Sequence, residues 1–190
     1  MFLSLSLASV PPSIQPQGAT GSTALWQAAW YGHAEVVKLL ITDGKAAVDK
    51  AQNQGATPLY IAAQKGCTEV VKLLITDGKA EVNLANNEGC TPLYWAAAKG
   101  LTLVASTLLE HGADVNQNVN DGQSPLFGAC ENGHAELVVM LLKAGASINN
   151  RVDDPSPIDP CHSGLTSLGV ARKNGHDELA TVLVDAGGEV

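Results

Sequence analysis

The amino-acid sequence predicts an all-α solenoid of stacked antiparallel helix pairs, and three observations carry that expectation. Residues 35–46 and 69–80 both read EVVKLLITDGKA, the same twelve residues displaced by 34. Segments opening at Thr23, Thr57, Thr91, Ser124 and Thr166, spaced by 34, 34, 33 and 42 residues, each place a leucine two positions after the hydroxyl residue. The composition is 45% hydrophobic but only 4% aromatic, so the core must be built from Leu, Val, Ile and Ala, as small helices in close contact require. One such unit cannot bury its own apolar stripe, and neighbouring units must stack to do so.

The second unit shows how each element arises. Thr57 before Pro58 reads as a helix cap, since proline's missing N–H is no loss in the first turn. Leu59, Ala62 and Ala63 form an apolar face that allows close helix approach, and Gly66 supplies the positive φ that ends the segment. Thr68 is expected to cap a second helix in which Val70, Val71, Leu73 and Leu74 recur with helical spacing. Lys72 points outward, Gly78 terminates the helix, and the residues up to Gly89 are polar and turn-forming. Truncating Leu73 or Leu108 to Ala is expected to cost about 2–5 kcal/mol.

The pattern of TPLY, paired alanines, GH or GC, EVVKLL, a glycine and then ADVN or AEVN resembles the ankyrin repeat over residues 19–190. Five units are present, four close to the pattern and the last degenerate. The resemblance implies two antiparallel helices per unit, a protruding β-hairpin or loop finger, and a curved stack with a concave face. Three departures stand out. The usual histidine of TPLH is replaced by Trp26, Tyr60, Tyr94, Phe127 and Gly169, so its hydrogen bonds must be absent or replaced. The first two units carry one extra residue, in DGKAAVD and DGKAEVN, which is expected to reshape two fingertips. The fifth unit follows at 42 residues, which places an insertion in Asn150–Ser163.

The two ends are read separately. Residues 1–18 align with half a repeat and are expected to cap the stack, with a disordered tail and a signal peptide as competing readings. The last unit carries Arg172, Lys173, His176, Asp177 and Glu178, the polar face that a terminal repeat needs, and no effector domain is expected beyond it.

In ankyrin proteins the partner usually meets the fingertips and the ends of the inner helices, and the resemblance carries those positions over. The fingertip candidates are Asn53, Gln54, Asn87, Glu88, Asn120 and Asp121, flanked by Ser22, Ala56, Cys90 and Gln123. The inner-helix candidates are Trp30, Tyr31, Gln64, Lys65, Lys99, Glu131 and Asn132. Trp30 and Tyr31 are either binding anchors, because aromatic side chains bury much area for little rotamer entropy, or a cover for the end of the stack. Asp153, Asp154 and Asp159 make the proline-bearing insertion acidic, either as a seat for a basic peptide or as a loop that merely tolerates length. The resemblance also offers two readings of the asparagine in the VN step, at Asn83, Asn116 and Asn149: a site of hydroxylation, or an unmodified turn asparagine.

Charge and chemistry narrow the function. Up to Gly100 the chain has seven basic and seven acidic residues, and beyond it four and twelve, within a net charge of −8. Such a surface repels phosphate backbones, so a basic protein or peptide is expected as partner and nucleic acid is not. No catalytic site, cofactor or metal site is expected. Cys161 beside His162 lacks a third group, and His33, His134 and His176 occupy the structural GH positions. Of the four scattered cysteines, Cys90 and Cys161 are expected to be exposed. Their sparse spacing points to a reducing compartment, cytoplasmic or nuclear, and no apolar run is long enough for a membrane span. The expected function is a non-catalytic, monomeric protein-interaction module. A substrate-recruiting adaptor subunit of a larger enzyme complex would look the same in sequence.

Overall fold

Five hydroxyl side chains start the inner helices. Thr23, Thr57, Thr91, Ser124 and Thr166 each accept a hydrogen bond, at 3.0 to 3.1 Å, from the backbone N–H three residues on. Each such cap is worth about 0.5–2 kcal/mol. The computed structural model describes residues 21–152 and 164–189. In it the capped segments are α1 (Ala24–Trp30), α3 (Pro58–Lys65), α5 (Pro92–Ala98), α7 (Pro125–Glu131) and α9 (Ser167–Lys173). Their antiparallel partners are α2 (Ala34–Thr42), α4 (Thr68–Thr76), α6 (Thr102–Glu110), α8 (Ala135–Lys143) and α10 (Asp177–Asp185). The odd-numbered helices stack into one layer, and α2, α4, α6 and α8 stack in a second layer outside it.

The inner layer buries the paired small residues completely, with Ala28, Ala29, Ala62, Ala63, Ala96 and Ala97 at zero exposure. The glycines that link the two helices of each pair leave room for the next unit. A Cβ on Gly100, whose φ is +68°, would sit 2.6 Å from Nδ1 of His134. That histidine places Nε2 3.2 Å from the carbonyl oxygen of Ala98, and His176 makes the equivalent contact to Glu131 at 3.1 Å. Both bonds require the proton on Nε2, and both tie one unit to the one before it.

Several expectations are corrected here. Thr68 is the first residue of α4 rather than its cap; Cys67 takes the cap position and offers no side-chain bond. Leu73 is only half-buried, and Leu74 is the fully buried leucine of α4, as Leu108 is of α6. Gly78 is not the left-handed residue at the exit of α4. That role falls to Lys79, with φ +55°, and in the first unit to Lys45, with φ +45°.

The extra residue of the first two units is therefore absorbed where the outer helix ends, not at the fingertips. Ala80 donates to Leu74 O and Ala46 to Leu40 O, six residues back, whereas Ala113 donates to Leu108 O and Ala146 to Leu141 O, five back. The fingertips stay alike. Gln52, Asn86 and Val119 each donate to the carbonyl four residues on, closing the same tight turn. The fingers are turns, and no strand occurs among the described residues. In the fourth finger Val152 donates to Leu165 O, and the residues between them, 153–163, lie outside the described residues. No described helix is long and apolar enough to cross a membrane.

Candidate partner-binding groove

The ends of the inner helices and the fingers enclose a groove along one side of the inner layer. Its first cavity, of about 280 Å³, is lined by Trp30, Gln54, Gln64, Asn87 and Glu88 together with Gln52, Ala56, Tyr60, Ile61, Asn86 and Trp95. A shallower one of about 440 Å³ continues it past Glu88, Cys90, Tyr94, Trp95, Asn120 and Asp121. Six of the residues expected from the sequence, Ala56 among them, thus share the first cavity, and Cys90, Asn120 and Asp121 line its continuation.

Trp30 is half-buried, its ring 5.1 Å from that of Trp26 and tilted by 31°. The Lys65 ammonium lies 3.7 Å above the Trp30 ring, a cation–π geometry. Lys99 donates from Nζ to Gln64 O at 3.1 Å and stands 5.4 Å from the centre of the Trp95 ring. Tyr31 is 51% exposed and stacks on His33, outside both cavities. Asn132 folds back onto its own helix, donating to Gly128 O at 2.9 Å. Glu131 faces the last unit, its carbonyl accepting from Asn174 Nδ2 at 2.8 Å. Asp153, Asp154 and Asp159 lie outside the described residues, as do Cys161, His162 and the half-repeat reading of residues 1–18.

Two periodic asparagine sets explain much of the polar pattern. At the fingertips Asn87 donates from its side chain to Asn53 O and Asn120 to Asn87 O, at 3.2 and 3.0 Å, so adjacent fingers are laced together. Gly89 is required beside that ladder, since a Cβ there would come within 2.7 Å of the Asn120 backbone nitrogen. The second set is Asn83, Asn116 and Asn149. Each donates to a glycine carbonyl of the next unit (Gly112, Gly145, Gly187) and accepts from the backbone N–H of Asp114, Ser147 and Glu189 respectively. Asp49, the first-unit equivalent, accepts from Glu81 N at 3.2 Å but has no proton to donate in return.

The aromatic residues that replace the TPLH histidine reach the fingers in their own way. Tyr94 donates its hydroxyl to Gln123 Oε1 at 2.7 Å, and the Tyr60 hydroxyl accepts from Asn86 Nδ2 at 3.2 Å and from Trp95 Nε1. Burial raises the Tyr60 pKa to about 12 and pushes Tyr94 up as well, so both hydroxyls stay protonated. Trp26 Nε1 is buried with no partner among the described residues.

A family model of ankyrin repeats, in three-copy form, matches residues 5–86, 25–119, 76–152 and 117–190. The chain is an ankyrin-repeat protein. A search of curated proteins found no match. Ankyrin repeats are generally non-catalytic modules of protein–protein interaction, and this protein's helix pairs and fingers follow that architecture.

Two of its groove residues escape a reading of the sequence alone. Trp95 occupies the register position of Ile61 and Gly128, which suggests plain core, yet it is only partly buried and lines both cavities. Its bulk at a position filled elsewhere by glycine was the available signal. Tyr60 reads as a histidine substitute and proves to be cavity wall. Cys90 corrects the sequence expectation in the other direction: it is 7% exposed, and burial, aided by Glu88 and Asp121, raises its thiol pKa to about 11. The hairpin bond from Asn86 to the Cys90 carbonyl turns the side chain under the finger, as it does for Ala56 at 4% exposure; Ser22, at 4%, is buried as well. Burial likewise raises Cys130 to about 12 and Cys67 above its ordinary value. Among the described residues no three His, Cys, Asp or Glu side chains gather as a metal site would need.

Proposed function

We propose that this ankyrin-repeat protein seats a protein or peptide partner in the groove between its inner helices and fingers, with the Trp30–Tyr60–Trp95 cavity as the anchoring point. The observation that supports this reading is the convergence of three aromatic side chains from three units on one cavity whose walls carry amides and Glu88. Aromatic anchors inside a polar rim are where binding energy concentrates. Glu88 and Asp121 along the groove, and the net charge of −8, favour a basic partner.

The test is a selection of random linear peptides on the immobilised protein, followed by affinity measurement of the enriched sequences against groove variants. Enriched peptides are expected to be basic and to lose affinity at least ten-fold on Trp30→Ala, while Glu69→Ala, on an outer helix, leaves affinity unchanged. Peptides that bind Trp30→Ala and wild type equally would overturn the reading.

A further inference from the structure

We infer that the cavity between Trp30 and Trp95 receives an arginine side chain of the partner, and that Lys65 is an internal competitor for the same ring in the free protein. The inference rests on the groove being the binding surface and names what this cavity accepts.

The protein itself shows that these rings take cations. Lys65 places its ammonium 3.7 Å from the centre of the Trp30 ring, and Lys99 stands 5.4 Å from that of Trp95. The two lysines differ in how they are held. Lys99 is tethered by its bond to Gln64 O, whereas Lys65 makes no hydrogen bond or ion pair among the described residues and can swing away. The same cavity is lined by acceptors: Glu88, whose carboxylate has no hydrogen-bond or ion-pair partner among the described residues, the side-chain amide of Gln64, and that of Gln54, whose Oε1 already accepts from Gln52 Nε2 at 3.3 Å.

A flat cation with donors in its own plane satisfies both parts of such a site. Guanidinium stacks on an indole face and directs its N–H groups sideways to carboxylate and amide oxygens, and it is more weakly hydrated than an ammonium. An anionic side chain meets Glu88 and the negative faces of the rings, and an apolar one leaves Glu88 buried without a partner. Lysine enters as a point charge that satisfies one acceptor at a time. The same cation–π attraction that would hold the partner's arginine holds Lys65, whose ammonium opposes a second cation at that ring although Lys65 does not itself line the cavity.

The experiment titrates N-acetyl-arginine amide into the full chain and follows the three indole N–H resonances by NMR, with N-acetyl-citrulline amide and N-acetyl-lysine amide as controls. Saturable shifts are expected at Trp30 and Trp95, weaker ones with the lysine amide and none with the citrulline amide, which has the same shape without the charge. Lys65→Ala should tighten binding about two- to five-fold by freeing the ring. Glu88→Gln should weaken it by a similar factor without changing the melting temperature, because it removes only a carboxylate with nothing to lose in the free protein. Equal binding of citrulline, or unchanged or weaker binding in Lys65→Ala, overturns the inference. Peptides that map to the groove while N-acetyl-arginine amide leaves both indoles unmoved overturn the arginine seat alone and leave the binding module standing.

Discussion

At the groove the first three units carry Trp30, Tyr60 and Trp95, whereas the fourth carries Glu131, Phe127 and Gly128 at the same register positions. The hydroxyl caps and linking glycines are common to both regions and the asparagine clamps run from the second unit on, although the first two units leave their outer helices one residue later. What changes is how the surface is filled. Beside Gly128 a Cβ would already press to 3.3 Å on Ala98 and 3.5 Å on the Tyr94 ring, so the wall is closed there by the neighbouring tyrosine. Phe127 is buried at 1% exposure and has no hydroxyl to offer a finger. The solenoid thus separates two tasks: a repeated set of backbone-directed bonds holds the stack, and a few unrepeated side chains make one stretch of it a cavity.

The largest expected effect tests the framework. Leu74→Ala and Leu108→Ala, at zero exposure, should each cost about 2–5 kcal/mol in denaturant unfolding, and Leu73→Ala distinctly less. Equal costs for Leu73 and Leu74 would contradict the packing register of α4. Next comes the contrast between the two stretches of groove. Against a peptide selected on this protein, Trp30→Ala should lower affinity ten-fold or more, about 1.4 kcal/mol, and Glu131→Ala less than two-fold. A reversed order would move the anchor to the C-terminal units.

A smaller effect separates the helix exits. Lys79→Gly should stabilise by about 0.5–1 kcal/mol, because glycine takes a positive φ without the Cβ penalty, and Gly112→Lys should destabilise by about 1 kcal/mol. Thermal or denaturant unfolding of the two variants reads both signs. A further effect appears only at alkaline pH. Cys90 and Cys130 are raised from 9.0 to about 11 and about 12, so the stability they contribute is whole below about pH 9 and is lost as pH rises through 11 and 12. Thiol labelling with residue mapping at pH 8 should find both slow to react in the native protein and fast on unfolding.

Much of this architecture was legible because it is written in residue types with one physical role. A capping hydroxyl and a linking glycine recur in all five units, and a proline after the cap and paired alanines in three each, so each use is read from repetition at fixed spacing. The asparagines of the VN step were legible as a set but not as clamps, since their partners lie 29 to 40 residues away. The features that escaped depend on details finer than periodicity. Leu73 and Leu74 are both on the apolar stripe, and only the rotation of α4 against α2 and α6 decides which is buried. The extra residue in DGKA fits anywhere between the outer helix and the fingertip, and the hydrogen bond from Ala80 to Leu74 O selects the helix exit. Cys90 follows a fingertip glycine and reads as exposed until the hairpin bond turns it inward. Trp95 is similar: a large aromatic at a core register position becomes cavity wall because the fingertip beside it leaves space.

Whether partner contact concentrates on the aromatic stretch of the groove is read most directly by hydrogen-exchange protection on binding a selected peptide. Slowed exchange is predicted for the ends of α1 and α3, for α5 around Trp95 and for the fingertips at Gln54 and Glu88, with α2, α4, α6 and α8 unchanged. Protection centred on the outer helices, or on α7 and α9 alone, would contradict it.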